Sequence, residues 1–118
     1  MIIGTGIDLV DLKRLKELAS DRFIDRILSA EEKKLYDNIA AENTKLSFLG
    51  GRFAAKEALF KAIKSGKGKT YYKDFSILYR SDGSPYVQTE YFEDGEMIHM
   101  TITHTEEYAI SFAVIEKP

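Results

Sequence analysis

The chain has 118 residues, a formal net charge of −2, 44% apolar and 31% charged residues, and no cysteine. That length suits one domain with its own core, and the balance is globular rather than disordered. Disulfides and thiolate zinc sites are excluded, and no apolar run nears the roughly 20 residues that span a bilayer.

The opening MIIGTGIDLV has neither a basic leader nor a small-residue cleavage pattern, so a reducing, cytoplasmic setting is expected. Charge is uneven along the chain. Residues 1–80 hold 16 Lys and Arg against 11 Asp and Glu, whereas residues 81–116 hold eight acids and no Lys or Arg. A basic first part suits an anionic partner, and chance imbalance in a small chain explains it equally well.

In chain order, Ile2 to Leu9 reads as a short apolar strand interrupted by Gly4 and Gly6, which mark a bulge or the close approach of another backbone. Asp11 to Ile27 reads as one or two short helices. Ser29 followed by Glu32 forms a capping box, which predicts a helix from Ala30 to about Asn38. A long helix is predicted from about Thr44 to Lys64, stopped by Gly66. The period then shifts to that of strands. Phe75 to Arg80 and Pro85 to Thr89 flank the turn Ser81-Asp82-Gly83-Ser84, and Met97 to His104 pairs with Tyr108 to Ile115. In that last strand Tyr108, Ile110, Phe112 and Val114 share one face, and Ala109, Ser111, Ala113 and Ile115 the other. Neither face is polar, so both should be covered, the second by another subunit if not by this chain. The predicted class is α+β, with helices including one long central helix packed on a mostly antiparallel sheet.

The long helix carries the most information. At about 100° per residue, Leu49, Phe53, Phe60 and Ile63 form an apolar face. Ser47, Gly50, Gly51, Ala54, Ala55, Ala58 and Ala62 form an opposite face of small residues, suited to very close packing. Little circumference is left for solvent, yet Arg52, Lys56, Glu57 and Lys61 interrupt it. A bounded charge costs free energy unless it is paired or coordinated. An i, i+4 pair of Glu57 with Lys61 and the reach of long side chains to water account for Lys61 alone. Four charges together point to a site where a carboxylate and cations face a phosphate and a metal.

Asp8 is the second candidate carboxylate, although by residue type it serves better as a cap for the next helix. The run from Gly4 to Leu9 is not a dinucleotide fingerprint, and no phosphate-binding P-loop pattern occurs. No GxSxG elbow supports a serine hydrolase. His104 ends its strand on the apolar face, where a strand-end hydrogen bond is the plain role. His99 lies five residues away and points to the other face, so the two cannot share a metal. An Asp–Glu pair completed by water and phosphate oxygens suits Mg²⁺. Lys61, Lys64, Lys67 and Lys69, with Gly66 and Gly68, form a plausible phosphate cradle, and they equally complement the negative end of the helix dipole.

GTGIDLVDLKR, FLGGRFAAKEALFK, DGSPY and ITHTEEYAI, taken in order over nearly the whole chain, resemble the small bacterial 4′-phosphopantetheinyl transferases of the holo-[acyl-carrier-protein] synthase family. The resemblance implies transfer of phosphopantetheine from coenzyme A to a serine of acyl carrier protein, with Mg²⁺, for fatty acid biosynthesis, leaving adenosine 3′,5′-bisphosphate. It also implies a homotrimer with active sites between subunits. By position, Asp8 and Glu57 match the family's metal-binding carboxylates, and Lys61 its active-site lysine. Arg52, Lys61, Gly66, the turn Gly83-Ser84-Pro85, and His104 with Thr105 match positions lining the coenzyme A site. Arg14 matches a residue facing the carrier protein, and Arg22 and Arg26 extend that surface.

Three departures accompany the match. Gly50 stands where alanine is usual, Ser84 where lysine is common, and Tyr91 to Glu96 where many members carry a helix. Glu57 acting through a water, or Lys61, would serve as general base. The rival classes are a non-catalytic module for an anionic partner such as RNA and a structural oligomer. The strands offer no basic-aromatic stacking platform for the former.

Overall fold

Large and small apolar residues alternate from Tyr108 onward, and this segment becomes the central strand of the main sheet. In the computed structural model, which describes residues 1–63, 70–92 and 95–118, the elements run β1 (Ile2–Asp11), α1 (Leu12–Leu18), α2 (Asp21–Ile27), α3 (Ala30–Asp37) and α4 (Glu42–Ala62). A 3-10 turn (Tyr72–Asp74) follows, then β2 (Ser76–Tyr79), β3 (Pro85–Gln88), β4 (Met97–His104) and β5 (Tyr108–Glu116). The main sheet has the order β1-β5-β4, and β2 and β3 form a second, two-stranded sheet. All described pairings are antiparallel. The α+β architecture with a long helix on an antiparallel sheet is as expected.

The small face of α4 lies on the main sheet. Ala54, Ala55 and Ala58 are fully buried, as are Ala109 and Ala113 of β5. The close approach depends on two glycines of β1. A Cβ placed on Gly6 would stand 2.0 Å from the carbonyl oxygen of Ala58, and one on Gly4 would stand 2.1 Å from that of Ala62. No side chain fits there, so helix and strand meet backbone to backbone. Gly50 has a similar cause: a Cβ there would lie 2.4 Å from Leu12 Cδ2. The Leu12 side chain of α1 thus packs directly over Gly50 of α4.

Two apolar clusters flank this contact. One gathers Leu12, Leu15, Ile24, Ile27 and Leu49 beneath α1 and α2, and the other gathers Leu59, Phe75, Ile77, Met100 and Ile115 between α4 and the strands. The outer face of the sheet is bare. Ile7 and Leu9, each 58% exposed, pair in register with Phe112 (42%) and Ile110 (37%). The expectation that β5 is covered on both sides therefore fails within one chain, because all of the described helical layer is used on the inner face.

Local chemistry moved several boundaries. The Asp11 side chain accepts from the amides of Lys13 and Arg14 and caps α1. β1 consequently runs two residues beyond the expected end, and Asp8 lies inside the strand. Asp8 is not the cap that its residue type suggested. Ser20 accepts from the amide of Phe23 and divides the predicted helical stretch into α1 and α2. The capping box of Ser29 and Glu32 forms as read. α4 starts two residues early and ends at Ala62, where Ile63 leaves in an extended conformation with ψ 102°. The helix therefore stops before the predicted Lys64. Gly66, with Lys64, Lys67, Gly68 and Lys69, lies outside the described residues, as do Glu93 and Asp94 of the Tyr91–Glu96 stretch.

Candidate active site

Alternation along β1 turns Gly4, Gly6, Asp8 and Val10 toward α4. The two glycines bring the helix down, and Asp8 follows them along the same face. Its carboxylate Oδ1 accepts from Lys61 Nζ at 3.1 Å, and the same ammonium donates to the carbonyl of Ile7 at 2.9 Å. An ammonium has three donors, and among the described residues two of them are used. The Asp8 side chain is 17% exposed and that of Lys61 55%. Lys61 therefore pairs with a residue 53 positions away rather than with Glu57 one turn back.

Glu57 is half-buried, and among the described residues it receives one hydrogen bond, from the Tyr72 hydroxyl to Oε1 at 2.5 Å. The Tyr72 ring packs against Phe53 and Phe60, with the Arg26 guanidinium 5.9 Å from its centroid. Burial first, and then the bond to Glu57, push the Tyr72 phenol up to about 12, with smaller electrostatic contributions from both Glu57 and Asp8. Of the two carboxylates, Glu57 is the one bonded to the phenol. Asp8 and Glu57, with Lys61 and Tyr72, share one locality. Sequence reasoning missed Tyr72. The only signal was a tyrosine in a short polar stretch, which does not indicate a partner.

The other half of the charged helix goes elsewhere. Lys56 is fully buried and donates to the carbonyl of Ile27 at 2.6 Å and to Glu32 Oε1 at 2.5 Å. Desolvation pulls the Lys56 ammonium below its ordinary range, partly offset by the charge and hydrogen bond of Glu32. Glu32 is sealed as well. It accepts from the amide of Ser29 at 2.8 Å and from that of Ile77 at 2.9 Å. The reading of Lys56 as part of a phosphate and metal site is therefore corrected: its charge is answered by a structural carboxylate.

Arg52 stands between the two roles. It is 2% exposed, and it donates to the Tyr79 hydroxyl at 2.7 Å and to the carbonyl of Ile77 at 2.9 Å. Its guanidinium lies 3.9 Å from the Phe48 ring centroid and 4.6 Å from that of Tyr79. Its Nε, 4.0 Å from Glu32 Oε2, has no hydrogen-bond partner among the described residues. Arg52 nevertheless lines a cavity of about 270 Å³ together with Ser47, Gly51, Tyr79 and His104. His104 also opens onto an adjoining cavity of about 630 Å³ with Thr105, Asn43 and Ser47.

The turn Gly83-Ser84-Pro85 lines neither of these cavities. Asp82 Oδ1 accepts from both the amide and the hydroxyl of Ser84, and these bonds hold the Asp82 carboxyl below its usual range. Arg80 donates to the carbonyl of Pro85 at 3.1 Å. His99 faces away from His104, as alternation required, and pairs with Glu116 at 3.0 Å. Arg14, Arg22 and Arg26 are exposed, the last two one turn apart on α2.

Asp8 and Glu57, each meeting one protein donor among the described residues, offer hard carboxylate oxygens. Among the described residues no group of three or more His, Asp or Glu gathers. Such a pair fits Mg²⁺, which keeps waters and takes substrate phosphates, better than zinc.

Residues 4–113 match the family model of the 4′-phosphopantetheinyl transferase superfamily. The chain belongs to that superfamily. Within it, the curated relatives are holo-[acyl-carrier-protein] synthases: that of Acholeplasma laidlawii is 50% identical over 116 residues, covering 98% of both chains. The crystal structure of the Bacillus anthracis holo-(acyl-carrier-protein) synthase, in complex with CoA (3′,5′-ADP), superposes with a TM-score of 0.88 at 33% identity over 100% of this chain and 99% of that one. The Helicobacter pylori synthase in complex with coenzyme A superposes with a TM-score of 0.78 at 26% identity over 95% and 99%. This phosphopantetheinyl transferase is thus an enzyme of the synthase family whose motifs it carries. Among its described residues no helix is long and apolar enough to cross a membrane.

Proposed function

We propose that this transferase moves the 4′-phosphopantetheine arm of coenzyme A onto a serine hydroxyl of an acyl carrier protein in the cytoplasm, supplying fatty acid biosynthesis. The observation that carries the reading is the bond of Asp8 from β1 to Lys61 of α4, one helical turn beyond Glu57. The serine oxygen forms a bond to the β-phosphorus of coenzyme A while the bond from that phosphorus to the bridging oxygen breaks. Adenosine 3′,5′-bisphosphate leaves with the bridging oxygen. Asp8 and Glu57 would hold Mg²⁺, which when bound offsets charge on the diphosphate and the leaving bisphosphate.

Lys61 directs its remaining donor at a phosphate oxygen. Because it is bonded as a donor here, Glu57, directly or through a water, is the better acceptor for the serine proton. Arg52 walls the coenzyme A pocket, held in place by Tyr79, and His104 and Thr105 form its rim. Gly66 and the turn Gly83-Ser84-Pro85, which lines neither cavity of the single chain, are assigned to coenzyme A by the family match of their positions alone. Exposed Arg14, Arg22 and Arg26 receive an acidic carrier protein.

Assembly as a homotrimer completes the reading. A second copy covers the bare outer face built by Ile7, Leu9, Ile110 and Phe112. His104 and Thr105, at the end of the hairpin that contributes to that face, then lie between subunits. Light scattering is expected to give three copies, and Phe112→Asp to give fewer; a monomeric wild type would refute the assembly. For the reaction, apo carrier protein incubated with coenzyme A and Mg²⁺ is expected to gain the mass of one phosphopantetheine. No mass gain with a competent carrier would leave an anion-binding module as the better account.

A further inference from the structure

Glu57 is a long, half-buried side chain on α4. A free glutamate must lose rotamer entropy when it is fixed at a ligand. In this molecule it is already fixed, and the residue that fixes it lies outside every motif discussed above. We infer that Tyr72 is a positioning residue: its phenol holds the Glu57 carboxylate in the orientation that metal ligation requires. The inference rests on the assignment of Glu57 to Mg²⁺ in the preceding section.

Three observations carry it. The Tyr72 hydroxyl donates to Oε1 of Glu57 at 2.5 Å. A carboxylate offers about four lone-pair sites, so the one donor found among the described residues leaves Oε2 and part of Oε1 available. Phe53 and Phe60, which clamp the Tyr72 ring with centroid distances of 5.9 and 5.0 Å, stand four residues before Glu57 and three after it. They occupy one stripe of α4 with Glu57 between them. The 3-10 turn Tyr72–Asp74 is thus docked on the helix by its ring and tied to the carboxylate by its hydroxyl. The second carboxylate has an equivalent device, since Asp8 accepts from Lys61 at 3.1 Å. Each proposed ligand therefore has one protein donor that sets its direction, the usual role of groups behind metal ligands.

A purely structural Tyr72 would contribute through its ring alone. Tyr72→Phe retains the ring and removes the donor, and so separates the two roles. The probe is Mn²⁺ titrated into the coenzyme A-loaded protein, with the free ion read by electron paramagnetic resonance. Wild type is expected to bind and Glu57→Gln to lose that binding. Tyr72→Phe is expected to bind on the order of tenfold more weakly. The Mg²⁺ concentration for half-maximal turnover should rise by the same factor, while KM for coenzyme A moves less than about twofold. Loss in Glu57→Gln with unchanged or tighter binding in Tyr72→Phe overturns the inference and leaves the metal assignment standing. Binding retained in Glu57→Gln overturns both. A wild-type measurement supplies an independent check: bound Mn²⁺ should broaden the Tyr72 ring resonances first, and sharp Tyr72 signals at saturation would sink the assignment.

Discussion

Lys56 and Lys61 stand five residues apart on one helix, and each meets a carboxylate, yet the two pairs live in different media. The Lys56–Glu32 pair is 0% exposed at both side chains and is bonded further to the carbonyl of Ile27 and the amides of Ser29 and Ile77. The Lys61–Asp8 pair is 55% and 17% exposed, and among the described residues one ammonium donor remains over. The first ties α3, α4 and β2 together, because Glu32 reaches Lys56 and the amide of Ile77 from its own capping position. The second leaves charge at the surface of a close-packed seam, where a diphosphate and a cation can meet it. Burial, not residue type, separates a sealed ion pair from an accessible one.

The largest effect that tests this contrast is on stability. Glu32→Ala leaves the Lys56 ammonium buried without its counter-charge and should cost about 3–5 kcal/mol, read as a lower denaturation midpoint. If the loss were under about 1 kcal/mol, the sealed pair would be no more structural than a surface one. Next comes Glu57→Gln. It should melt near wild type but lose on the order of 10²-fold or more in turnover, equivalent to about 3 kcal/mol of barrier. Near-normal turnover in that variant would remove the distinction from the other side.

Gly6→Ala probes the seam itself. Its methyl group would collide with the Ala58 carbonyl, so α4 must shift away from β1, at about 1–3 kcal/mol. Both stability and activity should fall, since the same approach positions Asp8 against Lys61. An unchanged melting temperature would show that the seam tolerates slack. The smallest effect is one of pH. The Tyr72 phenol is raised from 10.0 to about 12, so between those values the folded state binds more protons than the unfolded one. The corresponding stability is present in full below pH 10 and fades as pH climbs toward 12. An ultraviolet titration should show a late phenol, at about 12, that disappears in Tyr72→Phe, while the smaller upward shift of Tyr36 remains.

Much of this was legible beforehand because it is local. Period, capping and turn chemistry announce α3, α4 and the two hairpins, and the small stripe on α4 announces a close contact. Legibility failed where one residue type serves two ends. Asp11 and Asp8 are equally good caps on paper, and only the length of β1 decides that Asp11 takes the role. Glu32 reads as a cap and is one, but nothing in its neighbourhood along the chain reveals that its carboxylate also neutralises a lysine 24 residues away. Tyr72 likewise gives no sign of reaching Glu57.

By itself the sequence determined the element types, the α+β class, and a set of motifs specific enough to name a family and nominate Asp8, Glu57 and Lys61. Those follow from short-range periodicity and from residue chemistry, which travel with the chain whatever its shape. Tertiary structure alone decided which lysine was sealed and which stayed open. It also decided that Tyr72 orients Glu57 and that one face of β5 lacks a cover from its own chain. The reason is physical: the cost of a charge and the reach of a hydroxyl depend on the dielectric and the neighbours around them, and distant segments supply both.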